Sequence, residues 1–79
     1  MIMLLSDNDL ATIQTALDTM LETKMTRSLG DIRITVSTSR APPVWHPFLM
    51  LARLEIWDRH MYSTKWCVSA EEVRQFAGR

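Results

Sequence analysis

Three stretches of this chain alternate apolar and polar positions. Ile32, Ile34, Val36 and Thr38 form one row. Phe48, Met50, Ala52, Leu54 and Ile56 form a second, and Tyr62, Thr64, Trp66 and Val68 a third. A period of two puts each row on one side of an extended chain, as a half-buried strand requires. The pattern predicts strands over 31–40, 48–57 and 62–68. The middle stretch is apolar enough to be read as a helix, and its polar residues decide against that. On a helical wheel Arg53, Glu55, Asp58, Arg59 and His60 scatter around the circumference, whereas on a strand Arg53 and Glu55 share one face. Ala41-Pro42-Pro43 cannot continue a hydrogen-bonded ladder and separates the first two strands. Asp58-Arg59-His60-Met61 reads as a turn with Asp in its first position.

On either side of these strands the period changes to that of a helix. Ser6 is a good N-cap, with Asp9 three residues on as a short capping-box partner, and Leu5 and Leu10 occupy the positions of a hydrophobic staple. Asp7 and Asp9 place negative charge at the positive end of the helix dipole. Leu10, Ile13, Leu17, Met20, Leu21 and Met25 fall in one arc of roughly 140°. Leu29 lies just beyond that arc and Gly30 follows as a C′ residue, so the pattern predicts one helix over 7–29. Ser69-Ala70-Glu71-Glu72 is a second capping box, with Val68 and Val73 as its staple. It opens a helix predicted over 70–77, which buries Val73 and Phe76 and stops at Gly78. The expectation is one α+β domain over 1–79, ordered α-β-β-β-α, with helices covering one face of a three-stranded antiparallel sheet.

Composition narrows the class. With 47% apolar residues in 79 the chain is not disordered, and its formal net charge of zero argues against both a strongly basic nucleic-acid binder and an acidic mimic. The charge is unevenly spread: the first thirty residues are net acidic and the remainder net basic, a mild dipole that can orient a partner. The single cysteine, Cys67, excludes a disulfide scaffold and fits a reducing compartment. Met1-Ile2-Met3-Leu4-Leu5 is too short for a membrane span and lacks a signal peptide's basic start, so a cytoplasmic protein is expected. Three Trp and six Met exceed what a minimal core needs. A homodimer is the simplest way to cover the surplus.

The residues that carry chemistry form no recognisable set. His46, His60, Asp58 and Cys67 match no zinc spacing, and the chain has no G-x-S-x-G, no H-E-x-x-H and no Gly-rich phosphate loop. No catalytic, metal or cofactor site is predicted. The order of elements resembles that of the double-stranded RNA-binding domain, and Pro43-Val44-Trp45-His46 before Phe48 resembles a fragment of that family's Pro-x-His loop. The family grips phosphates with a lysine-rich start to its second helix. Here that position reads Ser69-Ala70-Glu71-Glu72, where two carboxylates repel a phosphate backbone. The resemblance is therefore topological, and it implies no nucleic-acid grip.

What remains is the face of the sheet opposite the buried row. Its odd positions gather Leu49, Leu51, Trp57 and Cys67 with Arg33, Arg53, Lys65 and Glu55. An aromatic beside arginines and aliphatics is the composition of an interface centre. Candidate partner-binding residues are thus Arg33, Leu49, Leu51, Arg53, Trp57 and Lys65 on this face, with Trp45 and His46 in the proline-rich loop. The expected function is non-catalytic binding of another protein, as a stoichiometric inhibitor or adaptor of a larger complex. By size and charge the chain is similar to phage- or plasmid-encoded anti-host factors, anti-CRISPR proteins included. A small nucleic-acid-binding module and a structural homodimer subunit are the alternatives.

Overall fold

A computed structural model describes residues 4–40 and 50–77. The elements are α1 (Asp7–Asp18), β1 (Thr23–Leu29), β2 (Ile32–Arg40), β3 (Met50–Asp58), β4 (Met61–Cys67) and α2 (Ala70–Ala77). The class is α+β as expected, but the sheet has four strands, in the order β1-β2-β3-β4, every neighbouring pair antiparallel.

The extra strand comes from the helix predicted over 7–29. Its start is as read: the Ser6 hydroxyl accepts from the Asp9 N–H, and the Asp9 carboxylate accepts from the Ser6 N–H. Leu5 is buried and Leu10 partly so, as a staple requires. The helix ends eleven residues early, because Met20 adopts φ +57°. The Leu21 N–H then bonds the Ala16 carbonyl and the Met20 N–H bonds that of Leu17. This is a Schellman motif with methionine in the left-handed position that glycine usually fills. Met20, Leu21 and Leu29, assigned above to the buried helical arc or its margin, are instead exposed. The chain beyond pairs as a strand rich in Thr and Ser, β1 with β2, through a two-residue loop at Gly30-Asp31. Gly30 has φ +59°, so it serves this hairpin rather than a helix end.

The second correction concerns phase. A two-residue loop, Arg59-His60, joins β3 to β4, and its closing pair is Asp58 with Met61. Residues directly opposite each other share a face. A loop of two residues therefore carries the even row of β3 into the odd row of β4. Leu54 faces Lys65 and Ala52 faces Cys67, while Tyr62, Thr64 and Trp66 lie on the other side. The expected inward row of the last strand is thus its outward row, and Val68, just past the strand, is exposed.

The core joins Ile13 and Leu17 of α1 and Ala70, Val73 and Ala77 of α2 to Ile34, Val36, Met50, Ala52, Leu54 and Cys67 of the sheet. The two helices are tied together where the Ala70 N–H donates to Gln14 Oε1 at 3.0 Å. The Ser69 hydroxyl caps α2 by accepting from the Glu72 N–H. The Glu72 carboxylate reaches one residue further back than a standard box, to the Val68 N–H at 2.8 Å. No helix among the described residues is long and apolar enough to cross a membrane.

Candidate functional site

The sheet face away from this core carries a connected set of aromatic and charged side chains, built by the register of three strands. Arg33 of β2 stands opposite Trp57 of β3, and Trp57 stands opposite Tyr62 of β4. The Arg33 guanidinium carbon lies 4.5 Å from the Trp57 ring centroid, a cation–π contact. The Trp57 and Tyr62 rings are 5.0 Å apart at a tilt of 49°. Two same-face positions along, past Glu55, Arg53 stands opposite Trp66, with 5.9 Å from its guanidinium carbon to the ring centroid. Glu55 links the two rows. It accepts from the Tyr62 hydroxyl at 2.9 Å and lies 3.9 Å from Arg53 Nη2. Arg53 and Tyr62 are exposed, Trp57, Trp66 and Glu55 half-buried.

Toward β1 the same face becomes polar, with small Thr26, Ser28, Thr35 and Ser37 and the charged Lys24. The Thr26 and Thr35 hydroxyls are 3.1 Å apart. The aromatic set is therefore confined to the β3–β4 side and has a definite edge.

Of the candidates named from sequence, Arg33, Arg53 and Trp57 come together here. Lys65 does not. The phase of β4 turns it to the helix side, where its Nζ lies 4.0 Å from the Phe76 ring centroid. Leu51 shares the open face but is 2% exposed, so it is not available to a partner. Cys67, placed on the open face by the sequence pattern, is buried in the core. Leu49, Trp45 and His46 lie outside the described residues. Tyr62 and Trp66 were missed because their strand was given the wrong phase. The signal was present: a four-residue turn read as i to i+3 of a two-residue hairpin fixes the parity of the returning strand.

Cys67 has none of the marks of a nucleophile. Burial, with Glu72 adding to it and Lys65 opposing, pushes its thiol up to about 11, away from the thiolate a reactive cysteine needs. It also sits at the end of β4 opposite to Asp58 and His60, roughly 20 Å along the strand, so these cannot share a metal. Among the described residues no group of three or more His, Cys, Asp or Glu side chains converges. An open hollow of about 610 Å³ lies beneath the two hairpin tips, lined by Leu29, Asp31, Ile32, Asp58, Arg59 and Met61 among others. Its ion pair, Arg59 to Asp31 at 3.8 Å, is largely exposed to solvent.

Compared with known proteins, the chain matches no family model, no curated protein and no solved structure.

Proposed function

We propose that this protein acts by binding another protein through the open face of its sheet, as a non-catalytic stoichiometric inhibitor or adaptor of a larger complex. The observation that carries this reading is the Arg33–Trp57–Tyr62 row with Arg53 and Trp66 beside it. Trp, Tyr and Arg are the side chains that dominate interface energetics, because each offers a large apolar area with a polar tip. Here they are held by one another on three adjacent strands, so little side-chain entropy remains to be lost on binding. The small polar strip of Thr and Ser toward β1 suits the rim of such a contact. A phage- or plasmid-encoded factor directed at a host complex is the specific form that the chain's size and neutral charge favour.

The test uses the full chain as bait in its native host, against Trp57→Ala and Arg53→Glu variants with unchanged circular dichroism. The reading expects a partner captured in stoichiometric amount by the wild type and lost in both variants. Capture by both variants at wild-type level overturns the assignment of the face.

One observation supports a second reading. Three aromatics and two arginines on one sheet face also suit stacking of single-stranded nucleic acid. Against it, Arg33 already occupies the Trp57 ring and Glu55 holds Tyr62 and faces Arg53. Gel-shift titration at two salt concentrations decides, since phosphate contacts must weaken as salt rises.

A further inference from the structure

The zero net charge of the chain is split between the two layers of the fold. On the open face the register places Lys24, Arg33 and Arg53, and among the described residues Glu55 is the one carboxylate beside them. The helix layer has the opposite sign. α1 carries Asp7, Asp9 and Asp18 and no Lys or Arg, and α2 carries Glu71 and Glu72 against Arg74. Arg27, bound to Asp9, and Lys65, over Phe76, lie on the helix side of the sheet and leave it still in acidic excess. A charged partner is thereby steered to one side of the molecule and repelled from the other.

The three cations of the open face are held differently. Arg53 faces Glu55, and its Nε donates to the Thr64 hydroxyl at 3.5 Å. Arg33 and Lys24 are exposed, and among the described residues no carboxylate or other oxygen acceptor engages either of them. Arg33 is nevertheless not loose. Its guanidinium is held over the Trp57 ring, 4.5 Å from the centroid, a contact that limits its freedom without occupying it with an oxygen. A planar fork of donors held in this way is pre-organised for a carboxylate. Ser28, opposite Arg33 on β1, is small and exposed and leaves room for one. Four residues along β2 from Arg33, roughly 13 Å away, Lys24, Ser37 and Arg53 stand in line across β1, β2 and β3. The floor between these cations is the small, polar Thr26, Thr35 and Ser37.

We infer that the partner meets this face with an acidic protein segment. One of its carboxylates takes the Arg33 fork, which Trp57 backs, and others reach Lys24 and Arg53 across the Thr and Ser floor. The inference rests on the open face being the binding surface and names the chemistry of what binds there. A phosphate backbone could also accept from Arg33. Glu55 standing among the cations, and Arg33 covering the ring on which a base would stack, favour the protein.

NMR titration of the isotope-labelled full chain tests this, with a short peptide of alternating Glu and Ser as the probe. Its counterpart with Gln for Glu and an oligothymidylate of equal charge are the comparisons. The acidic peptide is expected to shift the amides around Lys24, Ser28, Arg33 and Arg53, to leave those of α1 and α2 unmoved, and to bind more weakly as salt rises. Arg33→Gln and Lys24→Glu are each expected to weaken it about tenfold, and Arg33→Lys, which keeps the charge but not the fork, to weaken it too. Arg74→Glu on the helix layer is expected to change nothing. No shift up to millimolar peptide, equal shifts with the Gln counterpart, tighter binding of the oligothymidylate, or binding unchanged in Arg33→Gln overturns the inference. Its failure is separable from that of the face itself. A host partner lost in Trp57→Ala but retained in both Arg33→Gln and Lys24→Glu leaves the face as the binding surface and removes the acidic segment.

Discussion

The Arg33 guanidinium lies over the Trp57 ring at 4.5 Å because β2 and β3 pair these two residues directly across the ladder. The contact joins the strand that bears the cation to the centre of the aromatic row, and it sets what mutation of either should do. Trp57→Ala should lower stability by about 1–2 kcal/mol, losing the cation–π and ring–ring contacts together. Arg33→Ala should cost about 0.5–1 kcal/mol. Urea midpoints of the two single variants and the double variant give the coupling directly, and a coupling of zero would show that the contact contributes nothing.

Thr38 is the fastening of the strand that sequence patterning missed. Its hydroxyl, on a residue 2% exposed, donates to the Leu21 carbonyl at 2.7 Å. It can then only accept, and it does so from the Thr23 N–H and Thr23 hydroxyl, both at 2.9 Å. Thr38→Val conserves shape and strands these groups, so a loss of about 1–3 kcal/mol is expected. Hydrogen exchange should show the loss concentrated at β1. Protection of β1 unchanged from wild type would mean that the β1–β2 ladder alone holds it.

Asp9 caps α1 and pairs with Arg27 of β1. The Arg27 hydrogen bond, followed by the backbone bond from Ser6, holds its carboxyl below the ordinary carboxylate range. A folded-state value below the unfolded one contributes stability that is present above the unfolded value, about 3.9, and is lost as pH falls through the folded one. Stability should therefore decline on acidification below about pH 4, and Arg27→Ala should flatten that decline. Because the pair is partly exposed, the effect should shrink in high salt. Urea midpoints measured across an acid pH series check both statements.

The two hairpin loops make opposite predictions at their first residues. Gly30 and Arg59 both have φ near +59°, but only glycine adopts it without a steric cost. A Cβ on Gly30 meets nothing within 4 Å, so Gly30→Ala should cost about 1 kcal/mol from backbone strain alone. Arg59→Gly should stabilise by up to about 1 kcal/mol, strain relief exceeding the entropy cost of glycine. Thermal midpoints of the two variants should move in opposite directions.

Cys67 should be silent to thiol reagents in the folded protein. It is wholly buried and its thiol is pushed up to about 11, so the thiolate is scarce at pH 8. Labelling should appear only as denaturant opens the core, and its rate should follow global unfolding. Rapid labelling of the native protein at pH 8 would place Cys67 in a looser part of the fold.

The local features are legible in the residues themselves. The α1 start, α2, the even-numbered core row of β2 and β3 and the β3–β4 turn all rest on capping chemistry and periods readable within a dozen residues. Two things needed the tertiary structure. The residues after Asp18 continued a helical apolar arc, and pairing with β2, fastened by Thr38, made them a strand instead; the stop itself is a methionine where glycine would have announced it. The facing of β4 follows from the parity of a two-residue loop; the turn signal implied it, but it counts only once β3 and β4 pair with each other, and the apolar–polar pattern masked it because Thr, Ser, Tyr and Lys alternate with one another. That parity sent Lys65 to the helices and brought Tyr62 and Trp66 to Trp57. The composition of the candidate interface was thus a property of register, and register is set by which strands pair and where the chain turns between them.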